Sequence, residues 1–305
     1  MNNQLPLVSV CMVSYNQDTY VREALDSVLM QKTDFPVEVI ISDDNSSDNT
    51  PYILQEYAEK YPNKLYPILG DINLKYPNNL RRALEKARGK YIALCDSDDY
   101  WTDSYKLQKQ VEFLETHPDC AICFHNVMNI YDGVQGMRTL LNPLDFPTEL
   151  TIEDLIMRKW FLPTNSEVFR HEYLMFPSWY DSVLHVDYVI NAIVVQHGKI
   201  HYMPDVMAVY RHTAQSVSVE HSNGKWGYML FHCRTMKSIL TKLKDVYASQ
   251  YQGLLDIRIS EYDAEIQRYE HEIYCDNHLL ARVFRSKTYK RFLKRLFLNR
   301  LEGRR

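Results

Sequence analysis

Glycine is scarce in this chain. Only nine of 305 residues are Gly, and none stands in a G-x-G-x-x-G or a G-x-x-x-x-G-K-[ST] pattern. Those loops let a backbone close around a pyrophosphate, so the sequence argues against a nicotinamide dehydrogenase and a P-loop kinase. Cysteine is also sparse, at six residues, and Cys11, Cys95, Cys120 and Cys123 lie in apolar runs. That usage suggests reduced core thiols rather than a disulfide framework. The Cys120-Ala121-Ile122-Cys123 spacing could suggest metal or redox work, but no second pair accompanies it, and a core strand is the simpler reading. The opening stretch Met1 to Gln17 is uncharged yet rich in Asn, Gln and Ser, with no basic n-region. It reads as neither signal peptide nor transmembrane helix, and a cytoplasmic enzyme is expected. Charge of one sign is lacking too: 35 basic against 39 acidic residues give a formal charge of −4. No global positive field points to nucleic acid. No internal repeat is found.

What is present is a composition 46% hydrophobic and 24% charged, sufficient for a large buried core. The first hundred residues alternate strand and helix. Leu7 to Val13 is a β-branched run, followed by a polar loop and then Val21, Leu25, Val28 and Leu29 at helical spacing. Val37 to Ile41 gives a second strand, and Thr50-Pro51 opens a helix with Pro at its first position. Lys64 to Leu69, a helix over Asn79 to Arg88 closed by Gly89, and a strand over Tyr91 to Cys95 complete the pattern. Such alternation implies a parallel sheet covered by helices. Further along, the reading gives a helix near Thr151 to Arg158, a strand around Val168 and a helix near Asp187 to Gln196. Two short strands follow, at Ile200 to Met203 and Val206 to Tyr210, and the chain is helical after His221.

In open α/β sheets, ligands sit beyond the carboxyl ends of the strands. Three polar clusters fall there: Ser14-Tyr15-Asn16, Ser42 to Asp48 with Asp43 and Asp44 at its head, and Asp96-Ser97-Asp98-Asp99. Three carboxylates within four residues repel one another, and a hard divalent cation such as Mg²⁺ or Mn²⁺ is one natural compensation. A solvated acidic turn that caps the next helix is the other. Asp43 and Asp44 are open to the same pair of readings: a helix cap, or an acceptor for the imide N–H of uracil, with the ring of Tyr15 available for base stacking.

Taken together, Val8-Ser9-Val10 through Ser14-Tyr15-Asn16, then Val39 through Asp43-Asp44 to Thr50, then Gly89-Lys90-Tyr91 through Asp96-Ser97-Asp98-Asp99 resemble the inverting family-2 glycosyltransferases of GT-A fold. The resemblance implies an α/β fold with a Rossmann-like mixed sheet in residues 1–220. Within it, about 5–130 would bind nucleotide-sugar and 131–220 would form the acceptor side, with a helical extension over 221–305. Tyr15 and Asp44 match the family's uracil contacts, in a pocket with Ser14, Asn16 and Asp43. Asp98 and Asp99 match its motif for Mn²⁺ or Mg²⁺ and diphosphate, opened by Asp96. Arg81 stands where the family often has Arg-Asn, here Arg81-Arg82, and implies a phosphate or uracil contact. Asp187, after Val186 rather than the family's Gly or Glu, matches the catalytic base. Arg211 and His212, adjacent where the family usually has one residue between them, match the stretch that closes over the diphosphate.

The implied activity is metal-dependent inverting transfer from a nucleotide-sugar, a UDP-sugar first, to a hydroxyl of a glycan or lipid-linked acceptor in surface polysaccharide assembly. Two other readings stay open: a nucleotide- or sugar-binding protein on a degenerate scaffold, and a nucleotidyltransferase, although the latter usually carries a Gly-rich loop near its N-terminus. Trp160, Phe161, Trp179 and Tyr180 are candidate sugar-stacking aromatics or core. The last 21 residues hold nine Lys or Arg against one Glu, with Phe292, Leu293, Leu296 and Phe297 at helical spacing. Such a helix suits an anionic membrane surface, here the inner face of the cell membrane, or packs on the domain or in a homodimer.

Overall fold

The computed structural model describes residues 5–132, 137–213 and 225–285. The basic tail beyond Arg285, with its expected membrane role, lies outside the described residues. Strands β1 (Val8–Ser14), β2 (Val37–Asp43), β3 (Leu65–Leu69) and β4 (Tyr91–Leu94) alternate with helices α1 (Val21–Leu29), α2 (Thr50–Lys60) and α3 (Lys75–Leu84). Then come β5 (Tyr100–Trp101), α4 (Lys106–Thr116), β6 (Cys120–Tyr131), β7 (Arg138–Leu140), β8 (Glu149–Leu150), α5 (Ile152–Met157) and β9 (Val168–Arg170). The chain continues through α6 (Val186–Val194) and β10 (Lys199–His212) to the helices α7 (Lys225–Leu243) and α8 (Gln252–Arg285).

Ten strands form one mixed sheet in the order β3-β2-β1-β4-β9-β6-β10-β5, with β7 beside β6 and β8 beside β10. Strands β1 to β4 pair in parallel, β10 runs parallel to β6, and β9 is antiparallel to both β4 and β6. All seven residues of β1 are buried, as expected of a parallel strand covered on both faces. Its side chains divide by parity. Val8, Val10 and Met12 join Leu25 of α1, Leu54 of α2 and Leu107 of α4 on one face. Cys11 and Val13 join Leu80 of α3, Ile190 of α6 and Ile239 and Leu243 of α7 on the other. The helical C-terminal region therefore closes one side of the sheet.

Three expectations change in detail. The helix expected over Asn79 to Arg88 starts at Lys75 and ends at Leu84. Gly89 is accordingly no helix cap; it lies against β1, where a Cβ would stand 2.5 Å from the Ser9 nitrogen and 2.8 Å from the Val8 carbonyl carbon. Gly89→Ala is therefore expected to destabilise the fold by about 1–3 kcal/mol, the range for overpacking, and a chemical-denaturation midpoint equal to wild type would contradict this contact. The two short strands expected around residue 204 are one strand, β10, with register shifts between Met203 and Val206. Pro204 has no N–H to donate, so the ladder bulges there instead of ending. The buried thiols of Cys120 and Cys123 are pushed up to about 11 and about 12 by burial. They are core thiols of β6, and among the described residues no His, Cys, Asp and Glu side chains form a group of three able to hold a metal by themselves.

Candidate active site

The carboxyl ends of β1, β2 and β4 deliver their polar residues to one edge. At β1, Asn16 adopts φ 52°, a left-handed conformation that Asn tolerates. Its N–H donates to Ser46 Oγ (2.8 Å), and its Oδ1 accepts from the Ser47 N–H (2.8 Å). The Asp44 N–H donates to the Ser14 carbonyl (2.9 Å), so the β1 and β2 loops are tied together. Asp43 accepts from the N–H of Ser46 (2.9 Å) and from its hydroxyl (2.5 Å). Burial raises its carboxyl above the ordinary range. Asp44 is itself a bracket: its two oxygens accept the N–H groups of Leu74 (2.7 Å) and Lys75 (2.9 Å) at the start of α3. The Ser14 hydroxyl is buried without a hydrogen-bond partner, while the Tyr15 ring is half exposed beside this clamp.

Asp96, Ser97, Asp98 and Asp99 follow β4. Burial, reinforced by Asp98 and Asp187, pushes Asp96 up to about 8, and its Oδ2 accepts from Tyr76 Oη (3.4 Å). Burial likewise raises Asp98 to about 6, and holds Asp99, which also faces the Asp98 charge, well above the usual carboxylate range. The Asp99 Oδ1 accepts the Arg211 N–H (2.7 Å), while Arg211 Nε donates to the Asp98 carbonyl (2.8 Å). The Arg211 guanidinium then reaches Glu23 on α1 (2.6 Å) and lies over the rings of Tyr20 and Tyr100. Arg211 thus knits the end of β10 to the acidic turn. His212 stacks on Tyr131 with ring centres 4.4 Å apart, its Nε2 lies 3.2 Å from Asn129 Oδ1, and burial lowers its basicity.

Asp187 sits in the first turn of α6, where a carboxylate complements the helix dipole. Its Oδ2 accepts from Thr164 Oγ1 (3.3 Å). The turn carrying Thr164 is anchored on both sides: Asn165 Nδ2 donates to the Val209 carbonyl (2.8 Å), and Trp101 Nε1 donates to the Asn165 carbonyl (2.8 Å). Asp187 also lines a cavity of about 230 Å³ together with Trp160, Phe161, Tyr210 and His212. The same carboxylate therefore borders this cavity and acts electrostatically on Asp96.

Not every residue singled out in the sequence joins this cluster. Arg81 lies on the exposed side of α3, paired with Glu85 (2.8 Å) and Asp181 (3.4 Å) and placed over Phe176. Its neighbour Arg82 is the one turned to the end of β2, donating to Ser42 Oγ (2.8 Å) and the Asp43 carbonyl (2.6 Å). Trp179 and Tyr180 stand away from the cavity lining, and Tyr180 is buried against Phe176. Sequence reading passed over Tyr76, Glu23 and Thr164, whose roles depend on partners far along the chain. It also passed over Lys106 and Glu167, both fully buried and facing each other electrostatically beneath the site. Burial pushes the Lys106 amine down to about 7, and its Nζ rests 4.2 Å from the centre of the Trp101 ring.

A mixed sheet with carboxylates at its parallel strand ends and a further Asp near them agrees with a glycosyltransferase of GT-A fold. The family model described as glycosyl transferase family 2 matches residues 9–177, more than half of the chain, and the chain belongs to that family. An uncharacterized protein of Mycobacterium tuberculosis is 43% identical over 214 residues, which are 69% of this chain and 60% of that protein. TuaG of Bacillus subtilis, named as a teichuronic acid biosynthesis glycosyltransferase, is 41% identical over 160 residues, 51% of this chain and 59% of TuaG. The chain thus spans about 60% of the length of these relatives. Among solved structures, Staphylococcus aureus TarS residues 1–349 with UDP superposes with a TM-score of 0.58 at 18% identity, covering 92% of this chain and 72% of TarS. The mannosyltransferase of Pyrobaculum calidifontis with GDP-Man and Mn²⁺ gives 0.59 at 18% identity, covering 95% of this chain and 84% of the enzyme. At that identity the two structures establish the shared fold. Among the described residues, no helix is long and apolar enough to cross a membrane.

Proposed function

We propose that the chain transfers a sugar from a nucleotide-sugar donor, a UDP-sugar first, to a hydroxyl of a glycan or lipid-linked acceptor, with inversion at the anomeric carbon. One observation carries this reading: Asp187 stands between the strand-end carboxylates and a cavity walled by aromatic rings. A base that serves direct displacement must touch the acceptor hydroxyl while the donor lies on its other side. The half-exposed Tyr15 ring supplies a stacking face for a base, and the Ser14 hydroxyl is an unmet polar group at the same strand end. TarS has been solved with UDP and with UDP-GlcNAc, which favours uridine, whereas the mannosyltransferase holds GDP-Man.

The chemistry of the donor set fits a hard divalent ion. The Asp98 carboxylate, held by its own backbone N–H and attracted by Arg211, shares this turn with the negative charges of Asp96, Asp99 and Asp132. Mg²⁺ and Mn²⁺ are commonly held by one or two carboxylates together with substrate phosphates and water, so a full protein cage is not required. Asp98 and Asp99, with Asp96 beside them, would hold the ion, which when bound neutralises charge developing on a departing diphosphate. Asp187 takes the proton of the acceptor hydroxyl as its oxygen attacks. Arg211 fixes the acidic turn, through the Asp99 carboxylate and the Asp98 carbonyl.

Calorimetric titration of UDP, GDP and ADP, each with and without Mn²⁺, tests the reading. UDP is expected to bind at least tenfold more tightly than GDP or ADP, and only with the metal. GDP preference would replace the donor class, and no binding of any nucleotide under either condition would overturn the transferase reading.

A further inference from the structure

The cavity beside Asp187 is built largely from parts of the chain outside the family-2 match, which ends at residue 177. Tyr228, His232 and Met236 of α7 and Tyr262 of α8 form one wall, and Trp160 and Tyr210 another. At about 230 Å³ it is smaller than the roughly 300–1,000 Å³ of sites for drug-sized ligands, a size for one sugar ring rather than an extended oligosaccharide. The Trp160 ring is 43% exposed and stands edge-on to Tyr210, with centres 5.5 Å apart, so an apolar stacking surface is already formed.

Besides Asp187, Arg158, Lys159 and His212, the lining holds two further polar features. Asn191, one helical turn after Asp187, lines the cavity at 3% exposure; its side chain faces the buried Glu167 on one side, and its Oδ1 has no hydrogen-bond partner. Buried acceptors are nearly always satisfied, so an unmet one on a cavity wall is available to a donor that enters the cavity. Across the cavity, His232 Nδ1 and His185 Nε2 lie 3.2 Å apart, so one imidazole donates to the other and their ring orientations are mutually fixed. Burial lowers the His232 pKa to about 4, so this imidazole stays neutral at physiological pH and can both donate and accept.

We infer that this cavity is the subsite for the sugar ring that accepts the transferred residue, with Asn191 and the His185–His232 pair reading its hydroxyls and the α7–α8 hairpin setting which ring fits. The inference rests on the transferase reading and adds to it the specificity-determining residues and a pyranose ring as ligand. A hydroxyl of the ring donates to Asn191 Oδ1, a second bonds the histidine pair, the apolar face of the ring lies on Trp160, and the reacting hydroxyl is left to Asp187. Sites built to hydrogen-bond a hydroxyl discriminate strongly against rings that lack it, because the protein group is otherwise left unpaired.

The test uses the full chain preloaded with UDP and Mn²⁺. Methyl glycosides of glucose, galactose, mannose and N-acetylglucosamine are titrated by ligand-detected NMR. At least one is expected to bind, and Asn191→Leu and His232→Phe, on different elements, are each expected to weaken it at least tenfold with UDP affinity unchanged. Asn191→Leu keeps the volume but takes a partner from the buried Glu167, so the readout is the split between ligands: glycoside binding weakened with UDP affinity unchanged supports the subsite, whereas a lower Tm with glycoside binding intact assigns Asn191 to structure. If UDP binds and no glycoside does, or if both variants bind the glycoside as wild type does, the inference falls while the transferase reading stands. If neither UDP nor any other nucleotide binds, both fall together.

Discussion

Asp187→Asn is expected to reduce glycosyl transfer by about 10²–10⁴-fold, the contribution typical of a positioned general base, while UDP affinity measured by calorimetry stays within twofold. The substitution keeps shape and one acceptor oxygen, so Thr164 Oγ1 retains its partner and the start of α6 keeps its place. Only the ability to take a proton is lost. Removing the charge from the first turn of α6 costs about 0.3–1 kcal/mol of dipole stabilisation, a small fall in Tm that cannot account for a hundredfold loss of rate. The loss should appear in kcat, with the acceptor KM little changed, because binding contacts on the cavity wall are untouched. Transfer within threefold of wild type would remove Asp187 as the base. An equal loss of UDP affinity would move it to the donor site.

The double substitution of Asp98 and Asp99 by Asn should lower UDP affinity in Mn²⁺ at least tenfold, about 1.4 kcal/mol, and should erase the difference between titrations with and without metal. The fold is expected to tolerate the change. Asp99 serves the structure through its Oδ1, which accepts the Arg211 N–H, and an amide oxygen performs the same task. Two carboxylates raised by desolvation, Asp98 further by Asp132 and Asp99 further by Asp98, become neutral, so Tm should hold or rise. If metal-dependent UDP binding persists in the double variant, these two aspartates are not the ligands. A fall in affinity accompanied by a lower Tm would assign them to structure instead.

Much of the fold can be read from local pattern. The runs Val8–Ser14, Val37–Asp43 and Tyr91–Leu94 are apolar and β-branched because parallel strands are covered on both faces, and the helices between them carry their apolar residues on one side. Their carboxyl ends are equally legible, since the chain must leave the sheet there and the polar residues Ser14, Asp43, Asp44 and Asp96 to Asp99 follow at once. The motif order around them also carried the family resemblance, and the family match over residues 9–177 agrees with it.

Other assignments rest on pairs distant in sequence. The run around Val168 predicts a strand, but its antiparallel place between β4 and β6 is decided by the edges those two strands present. Arg81 and Arg82 are indistinguishable on paper. Helix phase sends Arg81 to Glu85 and Asp181, and Arg82 to Ser42 and the Asp43 carbonyl. Arg211 resembles a phosphate ligand by motif, yet its partners Asp98, Asp99 and Glu23 lie 112 or more residues earlier.

By itself, then, the sequence determined the class of fold, the family, and the edge of the sheet where carboxylates gather. Those follow from local burial and from what a strand end must do. Tertiary structure alone decided that Asp187 meets the Asp96 side, that α7 and α8 wall its cavity, and that His232 reaches His185. Each is a contact between surfaces whose complementarity leaves no periodic trace in either segment, and only the packed core brings them within reach.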